Sequence, residues 1–80
     1  MANNKDYEVS VFRPISMGNE AAIALLVENV PDMNASMAAK LLSEATLENP
    51  SPIYYGSAYE AGLVVGSLEG YGFKVSYAKF

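Results

Sequence analysis

The sequence predicts an α+β fold, a two-layer sandwich in the order β-α-α-β-α-β, with a three-stranded sheet of antiparallel type and helices on one face. Three observations predict it. Period-two alternation stands near both ends of the chain, at Tyr7, Val9 and Val11 and again at Phe73, Val75 and Tyr77, as in half-buried strands. Apolar stripes at helical spacing fill the middle. Pro31, Pro50 and Pro52, with Gly70 and Gly72, punctuate the chain where helices must stop.

Residues 1–6 read as a flexible polar arm ahead of a single domain over 7–80. The first strand is expected over 7–15, ending near Pro14, which has no N–H to give. Gly18-Asn19 then opens a helix, with Asn19 as N-cap and Glu20 in the first turn, where the helix dipole favours negative charge. Ala22, Ile23, Leu26 and Val30 share one face of it, and Pro31 bounds it. Asn34 can cap a second helix whose stripe is Met37, Ala38, Leu41, Leu42 and Ala45, ending near Ala45 or Thr46. Residues 46–52 read as loop and Ile53-Tyr54-Tyr55 as a short edge strand.

Ser57-Ala58-Tyr59-Glu60 has the form of a capping box, the most specific local signal present. Ala61, Val64, Val65 and Leu68 form the stripe of a third helix, and Gly70 and Gly72 offer two left-handed stops. The last strand is expected over 73–80, antiparallel to the first.

Composition narrows the functional classes. Eighty residues make one domain, and an apolar fraction of 51% suits a folded one. The chain has no cysteine, which excludes disulfides and thiolate metal sites and fits a reducing compartment. No apolar segment follows a basic start, and the longest apolar run, 21–27, is far short of the roughly 18 residues of a membrane span. A cytoplasmic, non-membrane protein is expected. The chain has no histidine, which removes the usual general base, the usual metal ligand and the usual activator of a nucleophile. A non-enzymatic role is expected, with no catalytic residue, cofactor or metal implied.

Charge is unevenly placed. Over 19–70 stand seven acids, Glu20, Glu28, Asp32, Glu44, Glu48, Glu60 and Glu69, against the single base Lys40, while Lys5, Arg13, Lys74 and Lys79 lie in the flanks. The helical layer is therefore expected to be acidic and suited to a partner protein with a basic surface. The same imbalance disfavours direct nucleic-acid binding.

The residues expected at such a contact are Glu28, Asp32, Glu44, Glu60 and Glu69, with Tyr54, Tyr55, Tyr59 and Tyr71 at its rim, because tyrosine joins apolar area to a polar tip. Tyr7 and Tyr77 are expected instead as buried sheet residues. Leu25 and Leu63 fall off the buried stripes of their helices; alone they read as ordinary exposed leucines, and joined with Val27 or Met33 in one patch they would mark a contact with a partner or with a second copy of the chain. Gly62 and Gly66 lie one turn apart inside the third helix, where each costs about 1 kcal/mol relative to alanine. Either the helix approaches a neighbour closely there, or the glycines leave a flat groove for a partner.

Two stretches carry a resemblance to a known family. Ala39-Lys40-Leu41-Leu42 looks like the second-helix Ala-Lys pair and following aliphatics of the C-terminal domain of bacterial ribosomal stalk proteins. Leu68-Glu69-Gly70-Tyr71-Gly72-Phe73-Lys74-Val75 looks like its helix end, glycine and alternating strand. Residues 19–80 resemble that domain. The adaptor that delivers N-end-rule substrates to the Clp protease shares the fold order, and Met33-Asn34 ahead of a helix is similar to it.

The resemblance implies the same element order and a helix–turn–helix face. The chain departs from both families at their functional residues. The stalk domain's factor-binding face is basic with a glycine-rich turn, whereas here stand Ala24, Leu25 and Glu28 and the turn Asp32-Met33-Asn34. The adaptor's acidic loop and histidine are replaced by Ser16-Met17-Gly18-Asn19 and no histidine.

The expected function is thus a small non-catalytic protein-binding module with an acidic helical face. The alternative is a phage-type inhibitor, an anti-CRISPR or anti-host factor, whose carboxylates block a nucleic-acid site of a host complex.

Overall fold

The computed structural model describes residues 6–79. Its elements are β1 (Tyr7–Val11), α1 (Asn19–Asn29), α2 (Ala35–Glu44), β2 (Ser51–Gly56), α3 (Ala58–Gly70) and β3 (Val75–Lys79). The fold is α+β in the expected order, and its three strands form an open antiparallel sheet, β2-β1-β3. Most of the expected arm, 1–5, and the final residue, Phe80, lie outside the described residues.

β1 takes the centre, pairing antiparallel with β2 on one edge and β3 on the other. Val9 and Val11 are fully buried in a core that also holds Leu26, Leu42 and Leu68. Cross-strand partners share a face, so Glu8 with Tyr55 and Ser10 with Ser76 occupy the other side of the sheet.

β1 stops at Val11, earlier than expected. Beyond it the Phe12 N–H donates to the Lys74 carbonyl at 3.0 Å and the Arg13 N–H to the Thr46 carbonyl at 2.9 Å. The chain is still held there but has left the regular ladder. β2 begins earlier than expected, at Ser51, and contains Pro52. Its register shifts between Val9 and Ser10, which face Tyr54 and Pro52, so Ile53 is the extra residue of a bulge. An edge strand with a bulge is where a sheet tolerates proline.

The helix ends are set by local chemistry. α2 is capped as expected, with Asn34 Oδ1 accepting from the Met37 N–H at 2.8 Å. α1 is not capped by Asn19, which is already helical. Gly18 is the N-cap, with no side-chain bond, and its carbonyl accepts the Ala22 N–H at 3.0 Å. α3 closes in a Schellman arrangement. The Phe73 N–H donates to the Leu68 carbonyl and the Gly72 N–H to the Glu69 carbonyl, both at 3.1 Å, with Gly72 at φ +103°. Phe73 is therefore buried as part of the helix stop rather than as the start of β3.

α3 packs against all three strands, α2 against β2 alone, and α1 against α2 and α3. Because α2 does not meet α3, its buried strip is narrow. Ala38 and Leu42 are buried on it, while Met37, expected in the stripe, is 46% exposed.

α2 has no base in its last turn. Arg13 supplies one from the β1–α1 connection, donating from Nε to the Ala45 carbonyl at 3.2 Å and from Nη2 to the Leu42 carbonyl at 3.4 Å. A cation at a helix C-terminus is favourable, and these carbonyls lack helical partners. Arg13→Ala is expected to lower stability by about 1 kcal/mol, read as a shift in the urea midpoint, with Arg13→Lys recovering part of the loss.

Candidate functional site

The candidate site forms where the α1–α2 turn meets β2 and α3. Pro31 ends α1, and Asp32 takes a left-handed conformation at φ 63°. A short polar side chain is among the few L-residues that adopt it readily. Buried Met33 then anchors the turn.

β2 contributes Tyr54, which pairs with Val9 and packs half-buried against the core. Its ring lies over Gly56, where an added Cβ would stand 2.6 Å from the ring, so glycine leaves the room that Tyr54 uses. α3 contributes Glu60, fixed in the first turn by the Ser57 cap. Ser57 Oγ accepts the Glu60 N–H at 3.2 Å, and the Ser57 hydroxyl donates to Glu60 Oε1 at 3.4 Å. Ser57 thus caps α3 as expected, while the Glu60 carboxylate meets its hydroxyl.

These pieces enclose a cleft of about 220 Å³ lined by Asn29, Pro31, Tyr54, Glu60, Leu63, Val64 and Ser67. Its chemistry is an apolar floor under negative charge. The Tyr54 phenol is pushed above its ordinary pKa, first by burial and then by the Glu60 and Asp32 carboxylates.

Beside the cleft runs the outward face of α3. Tyr59 is 75% and Leu63 56% exposed there. Gly62 and Gly66 are also exposed, and a Cβ added at either would meet nothing within 4 Å among the described residues. The expected alternative of close packing at these glycines is therefore incorrect, because α3 meets the sheet through Ala61, Val64 and Leu68 on its other side. The glycines leave a bare shelf next to Tyr59 and Leu63.

The structure thus gathers Tyr54, Glu60 and Leu63 at the cleft, with the Asp32 charge felt at the Tyr54 phenol and Tyr59 on the adjoining face. The other expected contact residues lie elsewhere. Glu69 and Tyr71 stand at the far end of α3, with Glu69 about 13 Å from Glu60 along the axis at 1.5 Å per residue. Glu44 ends α2, which does not touch α3. Glu28 is exposed one turn before Asp32 on α1.

Tyr55 is on the opposite sheet face, where its hydroxyl donates to Glu8 Oε2 at 2.8 Å; that bond, with burial and the Glu8 charge, raises its pKa. Leu25 is not a free surface residue. It is half-buried against the core, because α1 is flanked by helices on two sides and not one. Tyr7 and Tyr77 stack at 5.4 Å, but Tyr77 is 42% exposed rather than buried, its hydroxyl donating to the Ala58 carbonyl at 3.0 Å.

Among the described residues no cluster of three or more ligating side chains could hold a metal ion, and no helix is long and apolar enough to cross a membrane. No protein-family model matches the chain, and no curated protein matches it.

Proposed function

We propose that this chain is a small non-catalytic protein-binding module that engages a basic partner protein through the cleft between the α1–α2 turn and α3. The observation that carries the reading is a cleft that sets the Glu60 carboxylate and the Tyr54 phenol beside an apolar floor of Pro31, Leu63 and Val64, with the Asp32 charge acting on the same phenol. A lysine or arginine of the partner suits that combination. Its aliphatic stem can lie on the apolar floor while its charged head reaches the carboxylates, and the Tyr54 ring offers a face for the cation. The shelf of α3 beside Tyr59 and Leu63 extends the contact.

A groove-blocking inhibitor needs a longer row of carboxylates than this. Glu44 and Glu69 stand apart from the cleft, which favours local recognition of a basic side chain over imitation of a phosphate backbone.

The test is a comparison of the wild-type chain with Asp32→Asn/Glu60→Gln as baits in extract of the source cells. Both changes remove charge at constant shape, and asparagine tolerates the left-handed turn. A basic protein retained by the wild type is expected to fall about tenfold on the double variant at low ionic strength, with the gap narrowing as salt rises. Equal retention on both baits would rule out the cleft as the contact.

A further inference from the structure

The geometry points to a second recognition element, independent of the cleft: the outer edge of β3, which we propose pairs with an extended, acid-flanked segment of another protein. The hydrogen-bond phase fixes which groups face outward. The Phe12 N–H donates to the Lys74 carbonyl, and the β1–β3 register continues that pairing through Ser10 with Ser76 and Glu8 with Ala78. In an antiparallel ladder, hydrogen-bonded pairs alternate with non-bonded ones. Val75, Tyr77 and Lys79 therefore turn their N–H and C=O groups away from β1, on the side where the sheet ends among the described residues.

The two edges of the sheet are not equivalent. The β2 edge carries Pro52, without an N–H, and the bulge at Ile53, both of which interrupt a regular ladder. The β3 edge, Val-Ser-Tyr-Ala-Lys, has neither proline nor glycine, and its pairing with β1 runs without a register shift.

Charge selects the occupant. Lys74 and Lys79 bracket the edge, and β3 itself contains no acid. A second copy pairing antiparallel about Tyr77 would set Lys79 opposite the partner's Val75 and place no acid of the paired stretch against either lysine. Self-pairing therefore leaves both lysines without a counter-charge. A strand with carboxylates at the corresponding positions gains attraction at the same two places, so the lysines discriminate between partners as well as bind one.

The probe is the blocked hexapeptide acetyl-Glu-Val-Thr-Val-Thr-Glu-amide, whose acids have the sequence separation of Lys74 and Lys79. Its control is the same peptide with lysine at both ends. In the free chain, amide exchange is expected to alternate, fast at Val75, Tyr77 and Lys79 and slow at Ser76 and Ala78. Adding the acidic probe should shift and protect the three fast amides, with affinity at least about tenfold above the lysine probe at low salt.

Lys79→Glu, and separately Lys74→Glu/Lys79→Glu, should narrow or reverse that preference. The single variant leaves the Lys74 ammonium in place over the Phe12 ring at 4.7 Å and guards against misreading a folding defect. Three outcomes would overturn the proposal: no response of those amides to either probe, equal binding of both, or concentration-dependent protection without peptide, which would assign the edge to a second copy. Because the Asp32 and Glu60 substitutions leave this edge unchanged, failure here is separable from failure of the cleft.

Discussion

Leu26→Ala is expected to cost about 3 kcal/mol and to loosen α1 before the rest of the domain. Leucine-to-alanine changes at fully buried sites cost 2–5 kcal/mol, because the lost transfer energy is joined by that of the cavity left behind. Leu26 has no exposed surface. A domain of this length holds only roughly 4–12 kcal/mol in total, so the loss is a large share. The position matters beyond its size. α1 packs against α2 and α3 rather than against the sheet, and it joins the core through Ala22, Leu26 and Val30.

The turn that follows α1 carries Asp32, so a loosened α1 also opens the cleft. The expected result is a lowered urea midpoint, faster amide exchange across α1 than across α3, and weaker capture of any partner held by Asp32 and Glu60. A midpoint shift worth less than about 1 kcal/mol would mean that α1 is held by something other than this leucine.

What was legible in the sequence is what local chemistry decides. Asn34 and Ser57 cap helices through bonds that span three residues, and the left-handed stop at Gly72 closes within five residues of Leu68. Strand alternation at Val9 and Val11 was legible for the same reason. Strand ends were not, because they depend on a neighbour. β2 begins at Ser51 and accommodates Pro52 because none of the described residues pairs on its outer side. Leu25 was misread because a helical wheel shows which face is apolar, not how many neighbours the helix will have.

The site divides in the same way. Asp32, Tyr54, Glu60 and Leu63 could each be named from residue type, but their convergence required the turn, the strand and the helix to be placed. Asn29 and Ser67, which line the same cleft, carry no signal in the sequence that distinguishes them from other polar helix residues. In the sequence Arg13 reads only as a charge. Its role at the end of α2 depends on carbonyls 29 and 32 positions away.

Gly62→Ala combined with Gly66→Ala is expected to stabilise the domain by about 2 kcal/mol while weakening partner capture. An alanine in a helix interior is favoured over glycine by about 1 kcal/mol, part of it through the smaller entropy of the unfolded chain. That gain is normally offset when the new methyl collides, but here nothing lies within 4 Å of either added Cβ, and neither glycine adopts positive φ.

For a domain of this size, about 2 kcal/mol corresponds to a rise in Tm of roughly 10 °C. Two glycines that lower stability without relieving a clash are consistent with a requirement outside the fold, and the shelf beside Tyr59 and Leu63 is where such a requirement would act. The pair of readouts decides. Higher Tm with reduced capture places the partner on the shelf, higher Tm with undiminished capture confines the contact to the cleft around Tyr54, and a lower Tm would show that α3 needs its glycines for its own packing.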